Sequence, residues 1–187
     1  MRTVRSIVPL LLLAVIALPG AAQAAPAAAM PTSGFRAEFL GNFHFVNGKI
    51  LKLAEAIPQN KYTWRPAPGV RSIAEVLLHL AQAQYIFGAN LGLAMPATMD
   101  TSWEHSTTDK AKIIAALKSA FAAFDGAVAA LPDADAEKAV TLFGQVYTMR
   151  SLLLVETDHN AEHFGQLIAY ARMNGVVPPW SLPGGGM

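Results

Sequence analysis

Cysteine is missing from all 187 residues. No disulfide can staple this fold and no thiol can act as its nucleophile, so its stability rests on packing. Charge is also scarce, at 14% of the chain. The 14 Lys and Arg against 13 Asp and Glu include Arg2 and Arg5 at the extreme N-terminus; without them, 12 basic residues face 13 acidic ones. A nucleic-acid binder would carry a basic stripe or a high pI in its folded part. Nucleic acid is therefore not an expected partner. No internal repeat is visible, and no run shows the alternation of a convincing strand.

Long apolar runs are limited to the N-terminus. Arg2 and Arg5 precede an apolar stretch from Ile7 to Leu18, followed by Pro19-Gly20 and the small-residue triplet Ala22-Gln23-Ala24. This is the pattern of a secretory signal peptide over residues 1–24. The stretch is shorter than the ~20 residues that span a bilayer, so no stable membrane anchor is expected after cleavage. No cysteine follows it, which excludes a lipoprotein anchor. The expected location is periplasmic or secreted. Residues 25–32, rich in Ala and Pro, read as a linker. Residues 33–181 have the length of a single domain, and residues 182–187 form a Gly-rich tail.

Within the domain, apolar residues recur at three- and four-residue steps. Phe39, Phe43, Val46, Ile50, Leu53 and Ile57 mark one helical face that Pro58 ends. Ser72 with Glu75 three residues later matches a capping box and opens a second helix to about Leu93. Thr107 or Thr108 is the expected cap of a third helix, through Ile113, Leu117, Phe121, Phe124 and Val128 to Pro132. Residues 133–145 read either as a helical turn or as an irregular connection. The last helix spans about Thr148 to Asn174, with Gly175 as its C′ residue and Pro178-Pro179 preventing continuation. Four long amphipathic segments with short links predict an all-α four-helix bundle.

Chemistry concentrates on histidine. His159 and His163 are four residues apart and share a helix face with Leu152, Gln166 and Tyr170, the face a bundle buries. Such a pair is either two satisfied core histidines or a two-point clamp for a divalent ion. His79 stands on the second helix with Glu75, Gln82 and Ile86 around it. A lone histidine there is usually a core residue, but bundle sites are built from facing helices, and three histidines with an open position suit a catalytic ion. His44 on the first helix is either a fourth ligand or an edge residue. His105, beside Trp103 and Glu104 in a polar loop, reads as solvated. His159-Asn160-Ala161-Glu162-His163 also fits H-x-x-E-H, the inverted zinc-peptidase pattern, although little chain follows to supply its third ligand.

Two stretches carry a resemblance. Tyr62-Thr63-Trp64-Arg65-Pro66 with Gly69-Val70-Arg71-Ser72-Ile73-Ala74-Glu75-Val76-Leu77-Leu78-His79, and Asp158-His159-Asn160-Ala161-Glu162-His163-Phe164-Gly165-Gln166-Leu167, resemble the DinB-like (DinB/YfiT) family. The ending Arg172 to Ser181 is similar to that family's usual close. The resemblance implies an up-down-down-up bundle and a metal site on His79, His159 and His163. It further implies zinc, nickel or iron as the ion and a homodimer. Either metal-dependent hydrolysis or thiol transfer on a small molecule would follow, with a non-catalytic, stress-associated metal-binding dimer as the alternative. The expected export weighs against thiol transfer, because bacterial thiol cofactors are chiefly cytoplasmic. Glu75 and Gln166 are candidates to bond the far nitrogens of the ligands. Trp64, Arg65 and Arg71 are expected to lock the loop before the second helix, and Tyr170 to be core.

Overall fold

The computed structural model describes residues 29–185. The expected signal peptide, the first part of the linker and the last two residues lie outside them. The helices are α1, Gly34–Ala56; α2, Ile73–Gly88; α3, Lys110–Ala130; and α4, Met149–Met173.

Each boundary has a local cause. Ser72 Oγ accepts from Glu75 N at 3.3 Å while Glu75 Oε2 accepts from Ser72 N at 2.6 Å, so the capping box that opens α2 is formed. α2 stops at Gly88, earlier than the sequence suggests. Leu93 N donates back to Gly88 O at 2.9 Å across a left-handed Gly92 (φ 84°), and a Cβ on Gly88 would lie 2.5 Å from Leu93 Cδ1. Asp109, rather than either threonine before it, caps α3 by accepting from Lys112 N at 3.0 Å. The choice is made by the neighbouring helix. Lys110 Nζ donates to Glu55 O and Ile57 O at the end of α1, fixing where α3 begins. Thr148 caps α4 through Ser151 N at 3.1 Å, and Gly175 (φ 74°) follows its end.

Helix directions follow from end-to-end contacts. Arg36 at the start of α1 donates to Ala129 O at the end of α3, so those two run antiparallel. Arg150 lies over Phe35, so α1 and α4 start together. Trp64, just before α2, meets Tyr170 near the end of α4, so α2 runs against α4. The order is up-down-down-up. α1 and α2 each pack on both α3 and α4.

The core between the helices is apolar, with Ile50, Leu53, Leu77, Leu80, Leu117, Phe124 and Leu152 fully buried. Phe39, Phe43, Phe121 and Phe124 fill the seam between α1 and α3, with neighbouring ring centroids 5.4–6.3 Å apart. Buried Tyr62 donates to Ala54 O at 2.8 Å, satisfying its hydroxyl.

Residues 139–148 differ from the sequence expectation. They form a two-stranded antiparallel hairpin, β1 (Ala139–Leu142) and β2 (Gln145–Thr148). Its loop is Phe143-Gly144, with φ of 49° and 76°. Two-residue hairpin loops favour positive φ at both centres, usually supplied by Asn-Gly, and the strands are short; neither signal stands out in the sequence. Leu142 and Met149 anchor the hairpin in the core.

Candidate metal centre

Antiparallel α2 and α4 bring His79 opposite the pair one turn apart on α4. His79 Nε2 lies 3.0 Å from His159 Nε2. The three ring centroids are separated by 4.6–5.1 Å. One nitrogen from each of His79, His159 and His163 falls within 4.8 Å of the others. Tetrahedral coordination at about 2.0–2.1 Å needs ligand nitrogens roughly 3.3 Å apart, so small side-chain movements bring these three within bonding range of one ion.

The surrounding bonds set which nitrogens are free. His79 Nδ1 donates to Glu104 Oε1 at 2.6 Å, because a carboxylate can only accept. Arg71 holds Glu104 from its other side, Nε to Oε2 at 2.6 Å and Nη2 to Oε1 at 3.1 Å. His79 therefore presents the lone pair of Nε2 to the cluster, and His159 Nε2–H donates to it. His159 Nδ1 is buried with no partner. Moving the His159 proton to Nδ1 frees a second lone pair. On His163, Nδ1 donates to Gln166 Oε1 at 2.8 Å, while Gln166 Nε2 donates to Tyr170 Oη at 2.8 Å. In the neutral ring that tautomer carries its lone pair on His163 Nε2. All three rings can offer a neutral nitrogen to a metal, so the donor set fits a divalent ion.

Electrostatics favour the neutral form of His159 and His79. Burial lowers the pKa of His159 to about 4, helped by His163 and His79 beside it. Burial also lowers that of His79, against the pull of Glu104. For Glu104 burial pushes upward, but the hydrogen bonds from Arg71 and His79 outweigh it and keep the carboxyl below its usual range. Phe87 closes one side of the site, with its ring 5.5 Å from that of His159.

Other candidates fall elsewhere. Glu75 bonds Ser72, Arg65 and His105 rather than His79. Burial raises its pKa, yet those partners outweigh burial and hold it at about 2. Glu75 thus anchors the start of α2. His44 is half exposed on α1 and pairs with Asp125 Oδ1 of α3 at 2.5 Å, away from the cluster. His105 is largely solvated, with one contact to Glu75 at 3.0 Å. Glu162 is exposed, and the third histidine comes from α2 upstream of the pair, so the inverted-peptidase arrangement is not formed. Arg65 braces its loop through Val70 O, whereas Arg71 reaches the metal centre through Glu104. Tyr170 is core, as expected. Glu104 is the residue sequence reasoning missed. It sits in a 3-10 turn, Trp103–His105, that folds back onto α2, and no periodicity announces such a loop.

The profile of the DinB superfamily matches residues 42–167. The chain belongs to the DinB superfamily. A DinB-like protein from Bacillus cereus ATCC 10987 has the same fold at 21% identity and a TM-score of 0.67, over 75% of this chain and 93% of that one. A DinB-like protein from Bacillus subtilis superposes with a TM-score of 0.61 at 21% identity, over 78% and 95% of the two chains. No curated protein matches the chain. Within the DinB fold, the three histidines form a cluster able to hold a metal ion.

Proposed function

We propose that this DinB-superfamily member is an exported protein that binds one divalent metal ion through His79, His159 and His163 and acts on a small molecule there. The observation that carries the reading is the convergence of three imidazole nitrogens within 4.8 Å, with Glu104 and Gln166 on the far nitrogens of two of them. Metal-bound histidines in general make such outer hydrogen bonds, which fix ring orientation and tautomer.

His79, His159 and His163 would hold a divalent ion, which would supply Lewis acidity and lower the pKa of a bound water or thiol. The protein's part is to hold the rings aimed and in the right tautomer. Glu104 balances the positive charge of Arg71 and holds the proton on His79 Nδ1. Gln166 holds the proton on His163 Nδ1. Phe87 packs its buried ring against His159 and limits the rotation of that imidazole. Export makes hydrolysis the favoured reaction over transfer of cytoplasmic thiols. The homodimer implied by the family resemblance belongs to the same proposal.

A non-catalytic metal-binding bundle is the second reading. It is supported by a groove of about 400 Å³ lined by His44, Phe45, Lys49, Lys52 and Trp180, a surface separate from the cluster at which a partner could dock.

Metal content of the purified mature protein tests both readings. Wild type is expected to carry about one divalent ion per chain, and His79→Ala, His159→Ala and His163→Ala to lose most of it. Zinc at ~100 times its Kd should stabilise wild type by roughly 2.7 kcal/mol and the variants by far less. Equal metal content in all four proteins would end the proposal. N-terminal sequencing of the exported protein, expected to start at Ala25, checks the processing.

A further inference from the structure

Four polar side chains meet at the centre of this apolar bundle. Asn47 of α1, Gln84 of α2, and Glu156 and Asn160 of α4 are all at most 3% exposed. Their bonds run through Asn160. Its Oδ1 accepts from Gln84 Nε2 at 3.1 Å, and its Nδ2 donates to Asn47 Oδ1 at 3.1 Å and to Glu156 Oε1 at 2.5 Å. Asn160 thus ties α4 to α1 and α2 at a single level.

For stability alone this arrangement is poor. Asn47 Nδ2, Gln84 Oε1 and Glu156 Oε2 find no protein partner. A buried polar atom without a partner costs about 1–3 kcal/mol, and a partly satisfied network is worse than an apolar core. The benefit must lie in direction. Ridge-into-groove packing of Leu and Ile tolerates about 15–20° of scatter in helix angle, whereas amide hydrogen bonds weaken steeply when misaligned.

The adjacent residues need that precision. Asn160 directly follows His159 and stands three before His163, and Gln84 is five residues beyond His79 on the helix that faces them. An imidazole nitrogen lies ~6 Å from its helix axis, so a 10° rotation of α4 displaces it by about 1 Å. Metal–ligand distances tolerate about 0.2 Å. We propose that Asn160, with Gln84 and Asn47, is the positioning layer of the metal site, setting the rotation and register of α4 against α2 so that His159 and His163 point at His79. This rests on the metal-binding reading above.

The test separates metal affinity from stability. Zinc affinity is measured by competition with a chromophoric chelator, geometry by the visible bands of the Co(II)-loaded protein, and stability by urea unfolding without metal. The proteins are wild type, Asn160→Leu, Gln84→Met and Glu156→Gln. Asn160→Leu and Gln84→Met should bind zinc about tenfold or more weakly and show altered Co(II) bands; both leave buried partners unpaired and so also lower metal-free stability, and the Co(II) bands are the readout that a loss of stability alone would not move. Glu156→Gln, which still accepts from Asn160, should keep wild-type affinity. Gln84→Met is close in volume and keeps the test open if Asn160→Leu does not fold. Unchanged zinc affinity in the folded variants would overturn the positioning role while leaving the metal site intact. A wild type that binds neither zinc nor cobalt would overturn the metal reading and this inference with it.

Discussion

At the scale of single residues, Glu104 separates what is local from what is not. The metal candidates were legible because His159 and His163 are one turn apart and His79 lies on an inward stripe. Glu75 looked the natural partner for His79 for the same reason, being one turn away. Instead Glu75 turns back to Ser72 and Arg65, and a carboxylate 25 residues downstream takes the bond to His79. Residues at that separation meet only when a loop closes. Glu104→Gln keeps the shape and loses the charge that holds the His79 proton and answers Arg71. It should weaken metal affinity by about 10–100-fold, read by competition titration. Glu75→Gln should leave affinity near wild type and lower stability instead, because it sits in the capping box. Equal losses of affinity in both variants would contradict these roles.

At the scale of elements, the four helices were legible to within a few residues, since 3.6-residue periodicity and terminal Ser, Thr, Gly and Pro are local signals. The shifts at the end of α2 and the start of α3 both trace to contacts across the fold, Leu93 over Gly88 and Lys110 on α1. The hairpin was not legible. Its strands are four residues each, and Phe143 holds a positive φ that the sequence does not advertise. A non-glycine residue in that region costs roughly 1–2 kcal/mol, and the Phe143 side chain is 79% exposed, so little burial offsets the cost. Phe143→Gly should therefore stabilise the protein by up to about 1 kcal/mol in urea, part of the gain being lost to the freer unfolded chain. A clear loss of stability would show that the exposed ring makes a contact in solution.

At the scale of the whole molecule, one buried carboxyl links stability to pH. Burial pushes the Glu156 pKa from 4.5 up to about 8. Between those values the folded chain holds a proton that the unfolded chain releases, so stability is greatest below about pH 4.5 on this account and falls as pH rises towards 8. The full effect is on the order of 4–5 kcal/mol. Glu156→Gln should remove that slope and leave the variant more stable than wild type at pH 8. Parallel pH profiles in urea unfolding would show that Glu156 does not carry the proton. The sequence by itself determined the helices, the all-α class and the three histidines, because periodicity, caps and i, i+4 spacing act within a turn or two of the chain. Only the tertiary structure decided that Glu104 backs His79, that the chain between α3 and α4 pairs as strands, and that four polar groups meet beneath the histidines. Those outcomes depend on segments tens of residues apart being brought together by burial of a shared core, and no local pattern encodes which of them will touch.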